Sequence, residues 1–220
     1  DRAVVLKEVL FALSLLPDAE PEAVVDVAGD LPAVLNHDLP IVNSAAARVL
    51  RPLAAERPDV FTDHVDQLVA VVERPVSDPM EGLEPSPNPD AVRTETVENI
   101  RGQSRRRQLA ARVVAVHVVV EVAEIKPASV SPHSDRLLAL LDDDNPAVRA
   151  AAAGALAALA EHRPTELHAV VSPLIDALDD VDETVGARAV AALGHLGDDA
   201  AVHSLREVAG NEDPDADLRD

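Results

Sequence analysis

The sequence predicts an all-α fold, an α-solenoid of stacked antiparallel helix pairs in repeats of about 37 residues, on three observations. Sliding the chain against itself pairs residues 38–72 with 144–178 without a gap, and 13 of those 35 pairs are identical, which chance does not readily produce. Prolines recur at Pro21, Pro58, Pro127 and Pro164, separated by 37, 69 and 37 residues, so the middle interval is one repeat plus 32 inserted residues. Within each unit, apolar residues return at helical spacing rather than in strand alternation.

Each repeat carries two such patterns. The second helix of the unit places Val42, Ala45, Ala46, Val49, Leu50, Leu53 and Ala54 on one face, and its related copy does the same with Val148, Ala151, Ala152, Ala155, Leu156, Leu159 and Ala160. The first helix shows the period at Phe61, Val65, Leu68, Val69 and Val72, again at Leu167, Val171, Leu174, Ile175 and Leu178, and again at Val130, Leu137, Leu138 and Leu141. The stretch "RVVAVHVVVEVAE" has the β-branched composition of a strand. Aligning Pro127 on Pro58 nevertheless puts Ala111, Val114, Ala115, Val118, Val119, Val122 and Ala123 on the stripe of a second-type helix. Propensity losses of a few tenths of a kcal/mol per Val are small against about 1.5–3 kcal/mol for burying each side chain, so a helix is expected. Pro52 falls late in its helix and is expected to kink it. The chain opens with a second-type helix, Val5 to Leu16, and closes with a first-type helix near Ala200 to Ala209.

The turn "LLDDDNPAVR" sets Asp142, Asp143 and Asp144 side by side. Punctuation explains them better than chemistry. Asn145 is a good N-cap, Pro146 suits the first helical position, and acids there complement the helix dipole. The run also lacks the Gly at the sixth position and the Glu at the twelfth that a calcium loop requires.

The segment "VGARAVAALGHLGD", Val185 to Asp198, resembles the repeat pattern of the HEAT family, and particularly the short variety found in phycobilin-lyase-type proteins. Gly186 departs from the pattern where the family usually has Arg, whereas "NPAVRAAA" keeps it as Arg149. In that family the Arg commonly pairs with the turn Asp of a neighbouring unit. The resemblance therefore implies structural inter-repeat pairing that involves Asp144 and Arg149. It covers nearly the whole chain apart from the insertion and the acidic tail.

By register the organisation is repeats over 1–74, an insertion over 75–106, repeats over 107–209 and an acidic tail over 210–220. The first half of the insertion, "PVSDPMEGLEPSPNP", is Pro-rich and linker-like, expected to be extended or mobile. Its second half is expected to hold a short helix before Gly102. Arg101, Arg105, Arg106, Arg107 and Arg112 form the one basic cluster of an acidic chain. They read either as a docking patch for an acidic partner or as internal neutralisation of Glu81, Glu84, Asp90, Glu95 and Glu98.

Composition narrows the function. A net charge of -21 disfavours nucleic acid as a partner, and zero Cys removes thiolate metal sites and cysteine nucleophiles. No His pair has a metal-binding spacing, and there is no phosphate loop, dinucleotide fingerprint or Gly-x-Ser-x-Gly elbow. No catalytic, metal or cofactor-binding residue is therefore assigned, and no cofactor is expected. No apolar run approaches the ~20 residues of a membrane span. Neither a signal peptide nor its cleavage site is visible in Asp1 to Leu16, and a cytoplasmic location is expected.

The expected function is a non-enzymatic scaffold or adaptor that binds another macromolecule, most readily a protein. The alternative is an enzyme or enzyme auxiliary, since HEAT-like repeats occur in phycobilin lyases and in DNA glycosylases. A base-stacking site would want aromatics and a basic face, and this chain has two Phe and neither Trp nor Tyr.

With two Lys, 17 Arg and 40 acids, the chain resembles cytoplasmic proteins of extreme halophiles, a halophilic archaeon being the implied source. At molar salt the Debye length falls to about 3 Å and self-repulsion is screened. Thermal melts across a KCl series should show unfolding at low salt, whereas a salt-independent melting temperature would contradict this reading.

Overall fold

The computed structural model describes residues 2–13, 25, 27–81, 94–198 and 201–206, and no strand occurs among them. The helices are α1 (Arg2–Leu13), α2 (Leu31–Leu35), α3 (Pro40–Glu56), α4 (Val65–Glu73) and α5 (Thr94–Ile125), followed by α6 (Pro127–Val130), α7 (Ser134–Ala139), α8 (Pro146–His162), α9 (Val171–Asp176) and α10 (Glu183–Leu196). The chain divides into two compact units, Asp1–Val122 and Ala123–Asp220, with the division in the last turn of α5. The opening helix ends at Leu13, and residues 14–24 that were expected to extend and follow it lie outside the described residues. So do residues 82–93 of the insertion and the acidic tail 210–220, while residues 201–206 of the expected final helix are helical.

In the first unit α3 packs against α1 and α2 and against the short 3-10 turn Pro58–Phe61. Its buried face is Val42, Asn43, Ala46, Ala47, Val49, Leu50, Leu53 and Ala54, the predicted stripe with Ala45 left half-buried. The helix continues through Pro52 to Glu56. Helix α4 buries Val65, Leu68, Val69, Val71 and Val72 beneath the fully buried Phe61, so the first-helix stripe predicted here is the one observed.

Helix α5 shows burial overriding β propensity. Ala111, Ala115, Val116, Val118, Val119, Val122 and Ala123 are all buried in one continuous helix of 32 residues. That helix also corrects an expectation, for it runs straight through Gly102 instead of ending before it. A Cβ at Gly102 would meet only the far end of the Arg106 side chain, at 3.9 Å, so the glycine marks neither a turn nor a tight contact.

The second unit is built around α8, which packs closely on α10 and also on α6 and α7. Every residue from Ala151 to Ala160 is buried, so the alanine-rich helix is covered on all sides rather than on one stripe. Small side chains make that possible, because backbones approach until neighbouring side chains fill the gap. At Gly154 the filler is Arg188 of α10, whose guanidinium nitrogen would lie 3.5 Å from an added Cβ. The first-type helices of this unit are segmented. Pro132 falls in the 3-10 turn Ser131–His133 between α6 and α7, and Leu140–Asp142 and Ala177–Asp179 finish α7 and α9 as further 3-10 turns. Leu137, Leu140, Leu141 and Leu174 still point inward.

The acidic turns are caps, as their sequence indicates. Asn145 accepts a hydrogen bond from the Ala147 amide at 3.0 Å, and Asp143 Oδ1 accepts from the Asn145 amide at 2.9 Å. One repeat later Asp182 accepts from Thr184 N and Asp180 from Asp182 N, at 2.9 and 2.8 Å. Helix α10 ends at Gly197, whose left-handed φ of 61° suits glycine at that cap.

Two glycines in α8 and α10 should respond oppositely to substitution. Gly154→Ala adds a Cβ at ordinary contact distance from a flexible side chain and should stabilise by about 0.5–1 kcal/mol. Gly186→Ala brings its Cβ to 3.2 Å from the Leu178 carbonyl oxygen, a backbone atom, and should lower stability. Chemical denaturation of the two variants checks the signs.

Candidate functional site

The arginine cluster lies on α5, and its members divide by what they touch. Arg101, Ser104, Gln108 and Arg112 stand at i, i+3, i+7 and i+11 on one face. That face holds the chain leaving α4. Arg112 Nε donates to the Val72 carbonyl at 2.6 Å. The Gln108 amide brackets the Ser77 backbone, accepting from its N–H and donating to its carbonyl, both at 2.9 Å, and also donates to the buried Ser104 hydroxyl at 3.0 Å. Arg101 pairs with Asp78 at 2.9 Å. The Met80 amide and then Arg101 hold the Asp78 carboxyl below its ordinary range, against desolvation. Residues 72–78 are therefore seated along α5 by four side chain–backbone or charged contacts.

Arg105, Arg106 and Arg107 stand apart from this seam. Arg105 and Arg106 are exposed, Arg107 is half-buried, and none of the three makes an ion pair or hydrogen bond with a described residue. Of the five carboxylates expected to neutralise the cluster, Glu81 and Glu98 form no ion pair with it among the described residues. Glu84 and Asp90, and the side chain of Glu95, lie outside the described residues. Arg101 takes Asp78 instead, a residue not among the five.

In the second unit Arg149 makes a largely enclosed charged contact. Its Nε and Nη2 reach Asp180 Oδ2 and Oδ1 at 2.7 and 2.8 Å, its Nη1 donates to the Asp143 carbonyl at 2.9 Å, and both side chains are largely buried, 14% and 12% exposed. The guanidinium lowers the Asp180 carboxyl, with the Asp182 amide adding to it, and the carboxylate raises Arg149 in turn. Arg149 thus pairs with a turn aspartate of the neighbouring repeat, the kind of inter-repeat pair the resemblance implies, and that aspartate is Asp180 and not Asp144. Asp144 is exposed beside the cap, while Asp180, two residues before its own cap Asp182, points inward.

The repeat register exposes a substitution of partners that residue patterns alone did not suggest. Asn43 stands where Arg149 stands, and Arg74 where Asp180 stands, 106 residues away in each case. The guanidinium has changed ends. Arg74 donates to the Asn36 and His37 carbonyls at 2.9 and 3.3 Å, and His37 is the register equivalent of Asp143, the carbonyl that Arg149 caps. Asn43 is shorter, buried, and its Oδ1 has no hydrogen-bond partner among the described residues. It lines a cavity of about 20 Å3 with Arg74, Gln108 and Arg112, room for a single water. Arg112 stands 37 residues before Arg149, so the same register marks it as a repeat-turn arginine. This was the available signal that sequence reasoning missed when it grouped Arg112 with the docking patch.

No group of three or more His, Asp or Glu that could hold a metal ion occurs among the described residues, and no described helix is long and apolar enough to cross a membrane.

Arg149→Ala leaves the largely buried Asp180 without its fork and should cost about 2 kcal/mol, whereas Arg57→Ala, which removes a pair exposed by 32% and 55%, should cost within about 1 kcal/mol. Because the folded-state pKa of Asp180 is lowered, its contribution is complete above the unfolded carboxyl value of about 4 and is lost as pH falls through the folded value. The stability gap between wild type and Arg149→Ala should thus be constant from neutral pH to about pH 5 and close in stronger acid, as followed by denaturant melts.

Comparison with known proteins agrees with this architecture. Residues 134–220 match the family model described as HEAT repeats. Among curated proteins the sequence has no significant match. Among solved structures the chain is similar to an engineered protein with a TM-score of 0.61 and 18% identity, over 93% of this chain and 78% of that one. It is similar to a designed armadillo repeat protein in complex with the peptide (KR)4 with a TM-score of 0.58 and 18% identity, over 91% of this chain and 80% of that one. The fold is an all-α solenoid of armadillo/HEAT-like helical repeats, and residues 134–220 carry the match to HEAT repeats.

Proposed function

We propose that this protein is a non-enzymatic scaffold or adaptor of the HEAT type that binds another protein. The observation that carries the reading is Arg105–Arg106–Arg107: three consecutive cations on a long helix, two of them exposed, making no ion pair with a described residue in a chain of net charge -21. Arg101, Arg112 and Arg149, by contrast, each meet a carboxylate or a carbonyl. These three are available to acidic groups of a partner. The insertion then acts as the recognition element of the solenoid, with residues 75–81 and the start of α5 interrupting the repeats at 75–106. A solenoid neighbour in complex with a peptide supports a protein or peptide as the ligand of such a fold.

The finer likeness to short phycobilin-lyase-type repeats, a halophilic archaeal source and a cytoplasmic location belong to the same proposal. They rest on the residue pattern at Val185 to Asp198 and on the Lys-poor acidic composition. Base release or chromophore transfer by the purified chain would overturn the non-enzymatic reading.

Affinity capture from a halophile lysate in molar KCl, with wild type beside an Arg105→Ala, Arg106→Ala, Arg107→Ala variant, tests the docking patch. The variant should lose most of the captured protein and keep its melting temperature; undiminished capture would remove the patch from the interface.

A further inference from the structure

The exchange of Arg149 and Asp180 for Asn43 and Arg74 changes how one repeat holds the next. In the second unit a single side chain spans the junction, since Arg149 takes the Asp180 carboxylate with two nitrogens and the Asp143 carbonyl with the third. In the first unit Arg74 reaches back to the His37 carbonyl and pairs with Asp38 at 2.9 Å. That arrangement makes no use of Asn43. The residue is only 6% exposed, and its Oδ1 has no hydrogen-bond partner among the described residues. A buried oxygen without a donor is a cost that folded proteins rarely leave standing.

Asn43 lines the cavity of about 20 Å3, which has room for one water-sized guest. Asp38, Arg74, Ser77, Gln108 and Arg112 line it too, and the rest of the lining is apolar. The cavity therefore lies where the chain leaving α4 passes between α3 and α5. Its polar neighbours are committed elsewhere. Gln108 accepts from the Ser77 amide and hydroxyl and donates to the Ser77 carbonyl and the Ser104 hydroxyl. Arg74 donates to Asn36, His37 and Asp38, and Arg112 to the Val72 carbonyl. The chemistry of the lining selects the guest. A cation would be repelled by two guanidinium groups set against one carboxylate. An anion would meet the Asn43 oxygen, itself an acceptor, beside arginines already engaged by protein oxygens. A water both donates and accepts, so it satisfies Asn43 whichever way the amide is turned.

We propose that this cavity is a binding site for one ordered water, which donates to Asn43 and links α3 to residues 74–77. A water-mediated contact in the first unit then stands where the Arg149–Asp180 fork stands in the second. The Ser77 hydroxyl, whose hydrogen goes to Gln108, offers an acceptor for the second hydrogen of the water. The inference is independent of the protein-binding reading, because it concerns the packing of the first unit alone.

The test is a high-resolution crystal structure of the whole chain grown from KCl, beside a second crystal in which RbBr replaces the KCl. A single peak within hydrogen-bond distance of the Asn43 amide is expected in both, with no anomalous signal in RbBr. An empty cavity, or an anomalous peak of rubidium or bromide inside it, would overturn the proposal. Asn43→Leu should abolish the peak, since the orphan oxygen leaves with its water; a peak that persists in this variant would overturn the role given to Asn43. The double exchange Asn43→Arg with Arg74→Asp rebuilds the direct fork of the second unit, and should place a guanidinium where the water was and melt above Arg74→Asp alone. A double variant that melts no higher than Arg74→Asp would overturn the equivalence of the two junctions. Should a variant fail to fold, the pair of wild-type crystals still decides.

Discussion

Close approach of helices that carry almost no large side chains is the constraint on which the rest of this structure depends. With two Phe and no Trp or Tyr, each interhelical space must be closed by Ala, Val and Leu, and a one-methylene error has no bulky neighbour to absorb it. Helix α8 shows the limiting case: ten consecutive buried residues, with a glycine at the point where Arg188 of α10 crosses. The arginine stem serves there as packing material as well as charge, the amphipathic use that a long basic side chain allows.

Helices packed this tightly turn sharply, and sharp turns strand backbone carbonyls and amides. The chain meets that demand with acids and guanidinium groups, and with glycine at Gly197. Asp143, Asn145, Asp180 and Asp182 take up amides at the starts of α8 and α10, and Arg149 and Arg74 take up carbonyls at the preceding turns. The two arginines reach equivalent carbonyls from opposite ends of the repeat. What the register conserves is the capped carbonyl, and the residue that caps it is free to move. The residual of the exchange in the first unit is Asn43, buried with an oxygen that no described group satisfies.

The insertion follows the same economy of contacts. Its entry is seated along α5 by Gln108, which supplies both a donor and an acceptor to the Ser77 backbone in the manner of a neighbouring strand, and by Arg101 and Arg112 on either side. Arg105, Arg106 and Arg107 stand outside that seam.

The sequence by itself determined the repeat, the helix stripes and the caps, because these depend on periodicity and on local hydrogen bonding within a few residues. The face predicted for α8 and the stripe of α4 are buried as read, and Val-rich α5 is helical because burial outweighs propensity at Val116, Val118, Val119 and Val122. Only the tertiary structure decided which aspartate Arg149 takes, that α5 runs through Gly102, and that α8 is covered on every side. Each depends on how far two segments distant in sequence approach one another. Asp144 and Asp180 are both turn acids by pattern; the one that lies within 2.7 Å of the guanidinium is chosen by the stacking of α8 on α10. The split of the arginine cluster has the same origin, since five residues close in sequence differ only in whether residues 72–78 come to rest against them.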